Sequence, residues 1–293
     1  MRAAALTLAA CLAFLQVARA DGMTESVAPR APVGGWSYQF TPYAWVPWVQ
    51  GEAVVRGRQF NVYASPVDVL EHLDFAWMSY MQAKKGPLTL FADVIYVDES
   101  TSGSVFTSDT LAPGITASLG AALSADYRFW TVEFGGMYEV MQWRSRHSAG
   151  TPDTALEMLA GGRYWHQELD VGLSLAGTLN LDGLVVSGNR AFANSGSVEW
   201  VDPFIGARLR WQPAAGEEVA LRGDVGGFGA GSKFTWQALA TYNWLLCVQG
   251  ALTIDGYLGY RALSVDYAEG AGTDRYVFDV VQHGPVVGVT GRF

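Results

Sequence analysis

Charged side chains recur at alternate positions along this chain, and their order is uneven. Acids come first (Asp93, Asp126, Glu133, Glu139, Glu157, Asp170) and arginines later (Arg208, Arg210, Arg222, Arg261, Arg292), with Arg128, Arg163, Asp224 and Asp255 out of step. Two facing walls of opposite charge set a transverse field that selects ions, or they close on each other as ion pairs. Other groupings able to do chemistry are thinner. Gly226 to Lys233 (GGFGAGSK) is a near miss to a phosphate-binding loop, but Ser232-Lys233 reverses the required order and no helix pattern follows. It reads instead as a flexible outer loop. His72, His147, His166 and His283 fall in separate segments, none at ligand spacing from another His or a Cys, so no metal and no cofactor is expected. His147 with Ser145 or Ser148 imitates a base beside a nucleophile. They share one loop with Arg144 and Arg146 and have no rigid support, so no catalytic residue is assigned and the protein is not expected to be an enzyme.

The elements that must position these charges are strands. Half of the 293 residues are apolar, with 34 Gly, 11 Trp, 13 Tyr and 14 Phe. No stretch after the N-terminal segment approaches the 18 uncharged apolar residues of a membrane helix. Period-2 alternation predicts twelve strands, plus or minus two, each near the 9 to 11 residues that cross a bilayer at a tilt. They run from Trp36 to Val46, Asp74 to Lys85, Leu88 to Asp98, Ile115 to Arg128, Trp130 to Trp143 and Thr154 to Trp165. The second six are Glu168 to Leu181, Trp200 to Trp211, Glu218 to Gly226, Thr235 to Leu246, Gln249 to Val265 and Tyr276 to Phe293. Tight turns at Gly86-Pro87, Phe129, His166-Gln167, Pro213 to Glu217 and Cys247-Val248 alternate with longer connections, Arg144 to Asp153 among them. This is the pattern of an all-β, antiparallel, up-and-down transmembrane β-barrel. Residues 36–293 would form it.

On that reading Ile115, Ala117 and the following odd positions to Tyr127 meet lipid, as do Leu169, Val171 and Leu173. Asp126, Arg128, Asp170 and Ser174 face the lumen. Tyr43, Trp45, Trp130, Trp143, Trp165, Trp211, Trp244 and Tyr260 suit the interfacial aromatic girdles. Across the turns Arg163 faces Asp170, Asp126 faces Glu133 and Arg208 faces Arg222. The last two are like-charge pairs that destabilise a sheet unless a counter-charge crosses the lumen or the wall is wet. Ser65-Pro66-Val67-Asp68 is a capping box with Pro at the first helical position, predicting a short helix in the first outer loop, packed on the rim or folded over the mouth.

The N-terminus carries Arg2, an apolar run from Ala3 to Leu15 and then Ala18-Arg19-Ala20, so residues 1–20 read as an export signal and 21–35 as a periplasmic segment. Leu8-Ala9-Ala10-Cys11 offers a competing lipoprotein box. With cleavage after Ala20 the chain keeps 17 Lys and Arg against 28 Asp and Glu, a net charge of −11, and Cys247 as its one thiol. An acidic chain without a basic stripe is not expected to bind nucleic acid.

Six segments resemble a porin-like family of functionally uncharacterised outer-membrane β-barrels of Gram-negative bacteria. They are FTPYAWVPW (Phe40 to Trp48), LFADVIYVD (Leu90 to Asp98), WVDPFIGARLRW (Trp200 to Trp211), GDVGGFGAGS (Gly223 to Ser232), GYRALSVDY (Gly259 to Tyr267) and the terminal HGPVVGVTGRF. The resemblance implies the bacterial outer membrane as location and outer-membrane lipid and lipopolysaccharide as surroundings. It also implies the barrel-assembly machinery as partner, with Phe293 as the assembly signal; it supplies no substrate. The leading functional expectation is a passive channel for small hydrophilic solutes. Arg208, Arg210, Arg222 and Arg261 would favour anions, opposite Asp93, Asp126, Glu133 and Glu139. The alternative is a closed structural or surface-interaction barrel, and the third class is a membrane-embedded hydrolase.

Overall fold

A computed structural model describes residues 35–55, 58–112, 115–143, 153–181 and 184–293. The expected signal (1–20), nearly all of the 21–35 segment, and Ser145, His147 and Ser148 lie outside them. Twelve strands form one sheet: β1 (Ser37–Trp45), β2 (Trp48–Val55), β3 (Arg58–Ala64), β4 (Leu73–Lys85), β5 (Leu88–Ala112), β6 (Ile115–Trp143), β7 (Thr154–Leu181), β8 (Leu184–Trp211), β9 (Glu217–Gly226), β10 (Phe234–Gln249), β11 (Leu252–Glu269) and β12 (Tyr276–Arg292). Helix α1 (Pro66–His72) precedes β4. Each neighbouring pair is antiparallel, and a β1–β12 pairing closes β1 and β4 to β12 into a barrel of ten strands. No helix among the described residues is long and apolar enough to cross a membrane.

The twelve expected barrel strands become ten because two expected turns do not exist. Phe129 and Gln167 sit opposite each other in an unbroken β6–β7 ladder that runs from Ile115↔Leu181 to Glu139↔Glu157. Arg128, Phe129 and Trp130 include no residue that favours positive φ or breaks a ladder, and only the short length of an ordinary membrane strand suggested a break there. The connection from Trp143 to Thr154 therefore leaves from the same end as the Gly86 turn, opposite to its expected position. The supposed first outer loop holds the β2–β3 hairpin. β2 continues β1 beyond Val46-Pro47 in one register along β12 (Trp45↔Val286, Trp48↔His283), interrupted where Pro47 lacks a donor.

The merged strands reverse the expected faces beyond Phe129. Parity runs on from Glu133, Thr131 and Phe129, all buried inside, so Tyr127 also points inward and Asp126 and Arg128 point out. In β7, Leu169 follows the buried Trp165 and Gln167 while Ser174, Thr178 and Asn180 are exposed. Of the expected girdle, Tyr43, Trp45 and Trp165 are interior side chains; Trp143 and Trp211 stand on the outer surface.

β5 to β8 are 25 to 29 residues long, against the roughly 9 to 11 that cross a bilayer. They continue past the barrel as a four-stranded sheet. Around the barrel proper the outer face is apolar: Phe134, Met158, Ile205, Leu221, Leu258 and Val287 each expose about half of their surface. A continuous apolar band around a closed barrel is the surface that suits hydrocarbon. Above it lies a charged row in which Arg128 bonds Glu168 at 3.0 Å and approaches Asp98 at 3.8 Å. Beyond that row the exposed positions of the outer face include Ser124, Asp126, Ser174, Thr178 and Asn189.

Candidate functional site: the filled lumen

Inward positions of the barrel stack as alternating ionic and apolar layers. Nearest the short turns, Lys84, Glu139, Glu157, Arg208 and Arg210 interlock. Arg208 Nε lies 2.5 Å from Glu157, Arg210 reaches Glu139 at 3.0 Å and Glu157 at 3.1 Å, and Lys84 bonds Glu139 at 3.0 Å. Arg292, held by Asp255 at 3.0 Å, and Glu218 extend this layer along the wall. Above it Phe91, Met137, Leu159 and Phe204 form an apolar layer.

The next ionic layer has Glu133 at its centre. One carboxylate accepts from three arginines on three strands: Arg163 at 2.9 Å, Arg222 at 2.8 Å and Arg261 at 2.8 Å. Arg261 also holds Asp93 (2.8 Å), whose other oxygen accepts from the Tyr43 hydroxyl at 2.7 Å. Asp224 takes Arg163 at 2.8 Å and Arg222 at 2.9 Å, and Gln237 donates to both acids. Three acids against three arginines leave the layer neutral. Aromatic faces cover the guanidinium groups, with Arg163 5.1 Å from Phe204, Arg222 5.1 Å from Phe91 and Arg261 5.1 Å from Trp45. A larger apolar layer including Phe129, Trp165, Trp200 and Tyr267 completes the filling, with Trp200 and Tyr267 stacked at 3.9 Å.

This arrangement explains the opposed like charges. Arg208↔Arg222 is a register pair as expected, and Asp93↔Glu133 and Glu139↔Glu157 are two more. Each pair is relieved by a counter-charge from another strand: Arg261 from β11 for the first acids, Lys84 and Arg210 for the second, Glu157 and Glu133 for the arginines. Burial is near complete, with Glu133, Glu157 and Arg163 at 0 % and Arg261 at 2 % exposed. Desolvating an ion costs several kcal/mol, which only partners on every side can offset.

Of the expected lumen residues, Asp93, Glu133, Glu139, Arg208, Arg210, Arg222 and Arg261 meet inside. Asp126 does not, because the continuous β6 carries it to the outer face opposite Asp170, and Arg163 pairs with Glu133 rather than Asp170. Glu157 and Arg163 prove as central as any, and their signal was parity, since both share the inward phase of β7. Sequence reasoning missed Asp202. It is fully buried beside the ionic layer and accepts from the Trp165 and Trp200 indoles at 2.8 and 3.2 Å, and from the Ser232 amide and hydroxyl at 2.6 and 2.7 Å. The Gly-rich segment is thereby a pinned turn, not a flexible loop. Gly227, Phe228 and Gly229 all take positive φ, which brings Ser232 down onto Asp202. Among the described residues no cluster of His, Cys, Asp and Glu could hold a metal ion. Phe293 lies on the outer face at the closing seam, exchanging backbone hydrogen bonds with Tyr38 (2.8 and 3.0 Å) and stacking on its ring at 5.9 Å.

An apolar belt around a closed antiparallel barrel defines a β-barrel of the transmembrane class. Neither a protein-family model nor a curated protein matches the chain, so the resemblance to a porin-like family has no sequence match behind it. Among solved structures the chain is similar to Ail, the attachment invasion locus protein of Yersinia pestis (9% identity, 88% of this chain and 99% of that one, TM-score 0.32). It is also similar to the translocator domain of the autotransporter NalP from Neisseria meningitidis (11% identity, 99% and 96%, TM-score 0.30). An anion-selective porin from Comamonas acidovorans is a third (8% identity, 88% and 99%, TM-score 0.23). All three are outer-membrane barrels of differing roles.

Proposed function

We propose that this protein is a closed outer-membrane barrel that carries a surface sheet, a surface-interaction protein and not a passive channel. Ion pairs that span the lumen carry the reading: Arg261 on β11 grips Asp93 and Glu133 on the opposite wall, and every group in that layer is buried. A conducting pore keeps its charged wall wet, whereas here each charge is consumed by another. The four-stranded continuation of β5 to β8 then becomes the part that meets the surroundings. It would stand among lipopolysaccharide sugars, with the apolar belt in outer-membrane lipid and with Phe293 read by the assembly machinery at the seam.

Planar-bilayer recording of the refolded protein tests this. The expected trace has no steps. Stepwise conductance with anion preference, lost in Arg222→Gln, would restore the channel expected from the charged lumen.

A further inference from the structure

A cavity of about 300 Å³ opens at the rim between α1, β3, β5 and β6, on the side of the long strands. That volume is at the lower end of the range for small-molecule sites, roughly 300 to 1,000 Å³. Its walls are apolar or aromatic: Tyr63 on β3, Val69 on α1, Ala125 and Tyr127 on β6. Its neutral polar groups, the hydroxyls of Ser100, Thr101, Tyr63 and Tyr127, can donate or accept, and its charged lining residues are acids and a histidine. Asp68 is committed to the helix cap, accepting from the Ser65 amide at 2.8 Å and hydroxyl at 2.7 Å. His72 Nδ1 lies 2.8 Å from the Asp68 carbonyl oxygen, an acceptor only, so Nδ1 carries the proton and Nε2 is left as an acceptor when the ring is neutral.

The Glu99 carboxylate is the second acid of the lining. It occupies an inward position of β5, opposite Tyr127 and above the charged row that borders the apolar belt. Among the described residues it has no hydrogen bond and no ion pair, whereas the acids of the ionic layers below it are held by arginines. Burial pushes its carboxyl above the ordinary glutamate range, with the charge of a protonated His72 opposing the shift in part, and a bound cation would remove that cost.

We infer that this cavity binds a small primary amine carrying an apolar or aromatic group. The ammonium would sit on Glu99 with His72 Nε2 as second acceptor, and the apolar body would lie against Tyr63, Val69 and Tyr127. An ammonium offers three donors and no acceptor, which complements these groups, and aromatic rings beside a carboxylate favour a cation over a neutral donor. A carboxylate ligand would meet Glu99 with like charge, and a hydrocarbon would leave it buried and unpaired. The inference does not depend on whether the lumen conducts.

The test uses the full chain in nanodiscs and titrates phenethylammonium by calorimetry, with phenylacetate and 2-phenylethanol as neutral-body controls of opposite and zero charge. Phenethylammonium should bind, the alcohol at least about tenfold more weakly and phenylacetate not at all, since a hydrogen bond to a charged group contributes about that factor or more. Glu99→Gln, close to isosteric, should reduce the amine's affinity by about tenfold. Ala125→Leu should abolish binding by filling the cavity; Val69→Trp narrows it from the opposite wall should the first variant fail to fold, as judged by gel heat-modifiability. Equal binding of all three probes, an amine affinity unchanged in Glu99→Gln and in the filled variant, or no amine binding to the wild type would each overturn the assignment.

Discussion

The barrel proper and the sheet that continues beyond it are made from the same strands with opposite polarity. Along β6, Phe134 and Tyr138 face outward and Glu133 inward, whereas a few residues earlier Tyr127 is inside and Asp126 and Arg128 are outside. Register does not slip between them. What changes is the outer face itself, apolar below the Asp98, Arg128 and Glu168 row and polar above it, as hydrocarbon on one side of the row and water on the other would require. An alternating strand thus reports a difference between its two sides and does not say which side is lipid. Outside, the lower region must be apolar and can bury ions only in its middle; the upper region can spend its polar residues on solvent.

The largest expected effect comes from breaking the ionic centre. Glu133→Ala leaves Arg163, Arg222 and Arg261 short of a shared partner, and removing one member of a buried pair costs about 3 to 5 kcal/mol. The urea midpoint of the gel-shift transition should fall sharply or assembly should fail; a barrel of wild-type resistance would show that the layer does not hold the lumen closed. Replacing Arg208 and Arg222 together by Glu puts acid beside Glu157, Glu133 and Asp224 and should impair assembly nearly as strongly. Next comes the outer face. Leu221→Arg, near the middle of the belt, should cost about 2 to 4 kcal/mol, while Ser174→Arg on the continuing sheet should stay within about 0.5 kcal/mol. Equal costs would erase the boundary drawn here. At the seam, removal of Phe293 takes away two backbone hydrogen bonds and the Tyr38 stack and should lower the assembled yield more than Ser174→Arg does. The smallest effect belongs to α1. Its Asp68 carboxyl is held below the ordinary range by the Ser65 hydroxyl and amide, so its share of the cap is complete above the free carboxylate pKa and fades as pH falls through the lowered value. Protection of the α1 amides against hydrogen exchange should fall only in that acidic window; Ser65→Ala, which keeps the amide donor, should weaken the dependence and Asp68→Asn should remove it.

Much of this was legible in order and little of it in depth. The capping box formed as its spacing implied, the Gly86 turn and the Pro213 to Glu217 turn fell in place, and Arg208 met Arg222. Helix α1 touches β3 and β5, as expected of a helix packed on the rim. Strand ends at Phe129 and Gln167 were misplaced because membrane-length strands were assumed where no turn residue stood. The β2–β3 hairpin was hidden because Pro47 looks like an end although the ladder to β12 resumes one residue later. Contacts such as Arg261 with Asp93, 168 positions apart, follow from how the barrel closes, which no local pattern encodes. The buried role of Asp202 escaped for the same reason.

The long strands also make the molecule a lever. Some twelve residues of β5 to β8 beyond the charged row reach roughly 30 Å at strand rise and barrel tilt, so a sideways pull at the tip is delivered to a wall one sheet thick. Such a wall resists stretching along its ladders but flattens readily into an oval. The guanidinium groups of Arg222 and Arg261, gripping Glu133 from across the lumen, would act as crossed struts one layer below the level where that torque arrives. Stiffness at the foot would let the mast transmit load to the membrane without opening a leak beneath it.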